Sequence, residues 1–426
     1  MTFPLSRRQF LHAGAAAPLL FASTSTADEP KTPAPSERLT LGFIGLGVQN
    51  RGHLGGFLGM KDVQVLAVCD VVAERALYAK QMAEKKYSEG KKGQYKGCDA
   101  YADFRKILDR KDIDAVVIAT PDHWHAIPCI LAANAKKDIY CEKPLTHNIA
   151  EGRRIVDAVA KNKVIFQTGS QQRSEFDNRF RLAVELVRNG RIGKLKTIRI
   201  GVGGPAKPCD LPTQPLPDWI DWDAWLGPAP ERGFNEILCP KGIHNHFPAW
   251  RAYQEFAGGQ VADMGAHHFD IAQWALDMDN SGPVEIIPPE KGDKGLKFVY
   301  ANGVEMIHGG EADCVFVGEH GTIRASRGKL ESDPAEIVKT PIGEKEWHCY
   351  PSTNHKRNWV ECVRSRKQTI CPPEVGHRSA TVCHLGNIGY RLRKHLRWDP
   401  VKERFDDAEA NKLTRREPRA KWKLVS

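Results

Sequence analysis

Apolar residues in the first third of the chain fall into short runs. Leu39-Thr40-Leu41-Gly42-Phe43-Ile44, Val63 to Val68, Ala115 to Ala119 and Asp138 to Cys141 span four to six residues each. Runs of that length fit strands buried on both faces. Helical patterns lie between them, from Val71 to Lys86 behind a capping Asp70 and from Ile127 to Ala135. This alternation predicts an α/β unit with a doubly wound parallel sheet, ligands gathering beyond the carboxyl ends of its strands. After a helix at Ile155–Lys161 and a strand at Val164–Thr168 the pattern changes. A helix from Phe176 to Asn189, an alternating strand over Lys194–Val202 and strands at Leu296–Val304 and Ala312–Phe316 predict a second unit with antiparallel strands. The segments around His355–Trp359 and Gly376–Asn387 read as two helices, closed by Trp398-Asp399-Pro400.

With 426 residues, 41% hydrophobic and 27% charged, the chain is expected to be a soluble globular protein of two or three units. No apolar run approaches the roughly 20 residues that span a bilayer, which excludes an integral membrane role. The net charge of +10 is spread along the chain with no recognisable nucleic-acid module, so it reads as a solvated basic surface. Eleven cysteines make an odd count without a C-x-x-C pair, and buried thiols are expected. His244 and His246 form a His-x-His pair, but no further zinc ligands are placed and no metal is expected. The tryptophans at 219, 222 and 225 are expected to pack as core. The expected division is a leader and linker over 1–37, a nucleotide-binding unit over 38–168, a substrate unit over 169–350, and a helical segment with tail over 351–426 that packs back on both.

The first strand runs into Gly45-Leu46-Gly47-Val48-Gln49-Asn50-Arg51-Gly52. Two glycines spaced G-x-G turn the chain sharply and bring backbone N–H groups to a pyrophosphate at a helix start. Asn50 holds the place of a third glycine, and Arg51 follows it. Asp70 ends the second strand, 18 residues after Gly52, where a carboxylate bonds ribose hydroxyls and repels a 2′-phosphate. NAD is therefore expected over NADP, with Arg51 the residue that could reverse the preference. Thr120-Pro121-Asp122-His123-Trp124-His125 and Glu142-Lys143-Pro144 stand at two further strand ends. Gln172 and Arg173, with His246, Trp250 and Arg251 in a loop, suit a polyhydroxylated ligand. Asp263 and His267 are four apart and share a helix face if a helix starts there, so that the carboxylate could orient the imidazole as a base.

Gly45 and Gly47, the T-P-x-x-x-H of Thr120, Pro121 and His125, the E-K-P of Glu142, Lys143 and Pro144, and the D-x-x-x-H of Asp263 and His267 together resemble the Gfo/Idh/MocA oxidoreductases. The resemblance implies a Rossmann-type N-terminal domain, a C-terminal α+β domain with a large open, mainly antiparallel sheet, and a homo-oligomer. It also implies a tightly held nicotinamide cofactor and a carbohydrate substrate. Lys143 would lie beside nicotinamide and substrate, Asp263 would anchor, and His267 would transfer the proton. Ser6-Arg7-Arg8-Gln9-Phe10-Leu11, followed by small apolar residues, resembles a twin-arginine signal, as in an exported bacterial subgroup. Export of the folded chain to the periplasm or beyond is expected. Free NAD is scarce there, so the hydride must return to a second substrate or to the same one. Three functions follow as expectations: a sugar, cyclitol or glycoside oxidoreductase; a redox-neutral glycoside hydrolase that oxidises, eliminates, hydrates and reduces; or a sugar-sensing binder without catalysis.

Overall fold

The computed structural model describes residues 34–90, 93–310 and 314–423, and the paired-arginine segment lies outside them. Strands β1 (Leu39–Ile44), β2 (Val63–Cys69), β3 (Asp99–Tyr101), β4 (Ala115–Ile118), β5 (Asp138–Cys141) and β6 (Phe166–Thr168) form one sheet. All its pairings are parallel, in the order β3-β2-β1-β4-β5-β6. That order reverses direction between β1 and β4, which opens a crevice at the strand ends. Helices α1 (Val48–Leu58), α2 (Ala73–Ser88), α3 (Ala126–Asn134) and α4 (Ile149–Asn162) cover the two faces. Leu41, Phe43 and Val65 pack with Phe57 of α1 on one face, while Val116, Ile118 and Ile139 meet Ile127 and Ile155 on the other. Burial on both faces explains why these strands carry unbroken apolar runs.

The second sheet has nine strands: β7 (Leu195–Ile200), β8 (Glu285–Ile287), β9 (Lys297–Val299), β10 (Glu305–His308), β11 (Cys314–Gly318), β12 (Thr322–Ala325), β13 (Leu330–Asp333), β14 (Leu396–Asp399) and β15 (Arg404–Phe405). Their order is β13-β12-β11-β7-β10-β9-β8-β14-β15, antiparallel except where β7 meets β10. Leu296–Val304, expected as one strand, is instead the whole of β9 and a turn into β10. Asn302-Gly303 makes the reversal, Gly303 at φ +82°.

One face of this sheet buries Ile198, Phe298, Met306 and Phe316 against α5 (Arg179–Arg188), α6 (Gly259–Asp263), α7 (Gly265–Ala275) and a long helix farther on. Phe180, Phe269 and Leu385 are among the rings and branches they meet, each fully buried and contributing roughly 1.5–3 kcal/mol. The chain's late helices tie the two halves together. Helix α8 (His355–Ser365) sends Trp359, Val360 and Val363 into the first sheet's core, and α9 (Pro373–Leu392) packs on both α4 and α7. Trp222 and Trp225 stack at 4.6 Å within a separate aromatic core under the 205–258 loops, as expected. All eleven cysteines are free thiols, ten of them buried and Cys209 half-buried. No helix among the described residues is long and apolar enough to cross a membrane.

Candidate active site

The chain leaves β1 at Gly45, whose φ is +78°. A Cβ there would lie 2.9 Å from the Thr120 backbone, so glycine lets the β1 and β4 ends close together. Two residues on, a Cβ on Gly47 would meet open space, just where the N-terminal N–H groups of α1 point. A crevice of about 360 Å³ begins here and takes in Asp70, Thr120 and Pro121. Asp70 accepts N–H bonds from Leu46 at 2.6 Å and Val72 at 2.8 Å, tying the glycine turn to the end of β2. A carboxylate has about four acceptor positions, so two remain for ribose hydroxyls. Thr120 Oγ1, His244 Nε2 and Trp422 Nε1 belong to crevice residues, are buried and find no partner among the described residues. Buried polar groups are ordinarily bonded, and a dinucleotide would supply what these lack. The residues present fit one.

The crevice shares Thr120, Trp250 and Arg251 with a larger cleft of about 1020 Å³ between the two sheets' loops. Lys143, just past β5, stands in it. Its Nζ donates to Asp263 Oδ1 and to the Asp263 carbonyl, both at 2.7 Å. An ammonium has three N–H groups, so one is left for the cleft. Arg251 Nε lies 3.6 Å from the other Asp263 oxygen, and its guanidinium is held over the rings of Phe247 and Trp250. Burial alone would raise the Asp263 carboxyl, but Lys143 and Arg251 outweigh it and keep the group ionised below its ordinary range.

Glu142 lies behind Lys143. Its Oε1 accepts from Gln171 Nε2 at 2.6 Å and sits 2.7 Å from His53 Nε2. Burial works against its charge, yet the His53 bond and the Lys143 and Gln171 contacts bring its pKa down to about 2. His125 reaches from the Thr120 carbonyl at 2.9 Å to the Pro144 carbonyl at 2.8 Å, fixing the T-P-x-x-x-H turn against the E-K-P turn. His267 lines the same cleft from α7. Burial first, then the charges of Lys143 and Arg327, push its pKa well below the ordinary range, so the imidazole is neutral. Its Nδ1 is buried without a partner among the described residues. Asp122 completes the cluster. Burial and the nearby Asp263 charge raise its carboxyl to about 8, despite Arg251 and Lys143, so it holds its proton at neutral pH.

Comparison with known proteins places this arrangement. Residues 39–170 match the family model described as "Oxidoreductase family, NAD-binding Rossmann fold", and residues 206–424 match "Oxidoreductase family, C-terminal alpha/beta domain". The chain belongs to the Gfo/Idh/MocA oxidoreductase family. It is similar to a myo-inositol 2-dehydrogenase of Thermotoga maritima, 33% identical over 170 residues, 40% of this chain and 47% of the relative. It is also similar to a glycosyl hydrolase family 109 protein of Shewanella pealeana, 32% identical over 213 residues, 45% of this chain and 44% of the relative. The chain thus spans about half the length of the curated relatives it matches. The WlbA dehydrogenase of Bordetella pertussis, solved with NADH and UDP-GlcNAcA, shares the fold at TM-score 0.58 and 16% identity, over 85% of this chain and 99% of that one.

Within this Gfo/Idh/MocA chain the expected site residues separate into two groups. Gly45, Gly47, Asp70 and Pro121 line the crevice; His125, Glu142, Lys143, Asp263 and His267 line the cleft; Thr120, Trp250 and Arg251 line both. Five others line neither. Asn50 donates to the carbonyls of Ile44 at 3.1 Å and Gly45 at 2.6 Å, clamping the turn from within. Arg51 turns away to the Leu46 carbonyl at 3.1 Å and to the carbonyl of His244. Arg173 is sealed against Asp270 and Asp279, Gln172 bonds Arg327 and the His267 carbonyl, and His246 is exposed. The pairing expected inside D-x-x-x-H also differs: the Asp263 carboxylate holds Lys143, not the imidazole. Asp263 closes α6 and His267 belongs to α7, so the four-residue spacing crosses a break at Met264. Sequence reasoning passed over Asp122, although it sits inside the T-P-D-H-W-H string, and chose Gln172 where the tight turn at Gln171–Arg173 presents Gln171 to the cleft. Arg327 comes from the β12–β13 turn, with no local motif to mark it.

Proposed function

We propose that the protein is an NAD-dependent oxidoreductase acting on a carbinol of a sugar, cyclitol or glycoside. The carrying observation is the Lys143–Asp263 pair in the cleft, with one ammonium N–H unspent, next to a crevice built for a dinucleotide. A bound nicotinamide would supply the hydride acceptor and donor. Lys143 hydrogen-bonds the substrate oxygen and stabilises it as it becomes an alkoxide. Asp263 holds the ammonium at that point. His267, neutral across physiological pH, takes the hydroxyl proton on a ring nitrogen and returns it in the reverse direction. Trp250 and Arg251 offer an aromatic face and a planar cation at the junction of crevice and cleft. NAD is preferred over NADP because Asp70 faces the expected ribose and would repel a 2′-phosphate. Export through the twin-arginine route, with the hydride returned on the same cofactor, accompanies this reading.

The test is mass spectrometry of the denatured protein for co-purified NAD(H), followed by nicotinamide absorbance with a panel of sugars and cyclitols. Neither bound nucleotide nor any spectral change across the panel would defeat the reading. A redox-neutral glycosidase is the second reading, favoured by the likeness to the family 109 protein and by a proton-carrying Asp122 beside the cleft. Solvent deuterium appearing at sugar C2 during turnover would select it over net oxidation.

A further inference from the structure

The nucleotide crevice is not walled by the parallel sheet alone. Beyond α9 the chain returns over the first domain, and its segment 415–423 crosses the crevice mouth. Arg416 Nη1 donates to the Glu255 carbonyl at 2.8 Å. Arg419 Nε donates to the Gly227 carbonyl and Nη2 to the Asp223 carbonyl, each at 2.8 Å. The Asp223 carboxylate takes Arg419 on one oxygen and Lys421 Nζ, at 2.6 Å, on the other. Trp422 then drops onto the opposite bank: its ring meets the Trp124 ring at 4.9 Å in an edge contact, under the Arg105 guanidinium at 5.3 Å. One end of this strap is therefore fixed to the 205–258 loops and the other to the loops after β3 and β4. Lys421 and Trp422 share the crevice lining with Asp70, Val71 and Phe104.

Asp70 and Val71 follow β2, the position at which a Rossmann-type sheet receives the adenosine ribose. The strap residues thus stand at the adenosine end, away from Lys143. Trp422 is 8% exposed, and its indole N–H is buried with no acceptor among the described residues. We propose that the strap 415–423 forms the outer wall of an adenosine pocket, with Trp422 against the bound base, and that the Asp223–Arg419–Lys421 latch sets how fast the nucleotide leaves. This rests on the reading of the crevice as a dinucleotide site. A cofactor so enclosed stays through many turnovers, as a hydride that must be returned on the same molecule requires.

The experiment is displacement of NADH from the full-length protein by excess NAD, followed by NADH fluorescence in a stopped-flow instrument. The double variant Arg419→Ala/Lys421→Ala is expected to release NADH about tenfold faster than the parent, with the melting temperature of the nucleotide-free protein little changed. Asp223→Asn, which opens the latch from its other side, is expected to do the same. Raising the salt concentration should speed release from the parent more than from the double variant, since Asp223 and Lys421 are partly exposed. Release at the parental rate from both folded variants would overturn the strap. Failure of the parent to bind NADH at all would instead bring down the dinucleotide reading on which the strap stands.

Discussion

Two acid–base clusters meet the same pair of helices and differ in almost every other respect. Asp263 closes α6 and Asp270 lies in α7, past the break at Met264, and each meets a different part of the protein. Asp263 reaches the cleft and holds Lys143, with side-chain exposures of 22% and 13%. Asp270 reaches the core and holds Arg173, each 1% exposed. Arg173 spends four of its five N–H groups on two aspartates, away from crevice and cleft alike: Nε and Nη2 bond Asp270 at 2.8 Å, Nη1 and Nη2 bond Asp279 at 2.9 and 2.7 Å, and Trp274 covers its face at 4.8 Å. Lys143 keeps one donor free. A closed cluster holds elements together, whereas one with an unspent donor beside a cleft can act on a ligand.

The strongest way to break this contrast is Arg173→Met. The buried Asp270 would be left without its cation and the half-buried Asp279 would lose its partner, and roughly 3–5 kcal/mol of stability should be lost in urea unfolding. If the variant kept its stability and lost sugar binding, Arg173 would return to the site where its sequence context first put it. Next comes Lys143→Ala, expected to lower kcat by about 10²–10³, as removal of a transition-state donor does, while costing well under the loss expected at Arg173. Asp263→Asn should resemble it, because the ammonium would lose its anchor. A large fall in stability with kcat intact would assign the Lys143 pair to architecture as well.

What could be read from the sequence follows the same division. The strands of the first sheet, the Gly45–Gly47 turn and the E-K-P turn are continuous in the chain, and local apolar runs and glycine chemistry were enough to locate them. Lys143 was legible because its strand end was. Its partner was not, since Asp263 lies 120 residues away and the four-residue spacing to His267 offered a nearer match. Arg173 looked like a ligand-binding arginine because a guanidinium in a polar string gives no hint of two aspartates 97 and 106 residues downstream. The hairpin of β9 and β10 went unseen for the opposite reason: its Asn302-Gly303 signal was local but sat inside an apolar stretch. The strap 415–423 has no motif, being mostly basic residues and a tryptophan whose meaning depends on Asp223 and Trp124.

Asp122 sharpens the comparison through pH. Its carboxyl titrates near 3.8 in an unfolded chain and near 8 in the fold, raised by burial and by Asp263. Below pH 3.8 both states carry the proton and there is no penalty. Between 3.8 and 8 the unfolded chain releases a proton that the folded one keeps, so stability falls as pH rises, and above 8 the penalty is complete. Asp122→Asn removes it. The variant should match the parent near pH 4 and become more stable by roughly 5 kcal/mol at pH 8, read from melting temperatures across that range. Equal pH profiles for the two proteins would show that Asp122 is ionised in the fold and does not carry a proton into the cleft.

The smallest effect concerns Asn50, which tests whether a residue inside a binding motif must touch the ligand. Its side-chain amide satisfies the Ile44 and Gly45 carbonyls behind the glycine turn, and it does not line the crevice. Asn50→Ala should cost about 1–2 kcal/mol of stability, the worth of two neutral hydrogen bonds to buried acceptors. The affinity for NADH, measured by fluorescence titration, should change by no more than about threefold, under 1 kcal/mol. Asn50→Gly would restore the third glycine of the motif and still lose stability, because the amide bonds go and a glycine enters the first turn of α1. An affinity loss larger than the stability loss would make Asn50 a member of the open, ligand-facing group and leave Arg173 as the clearer case of the closed one.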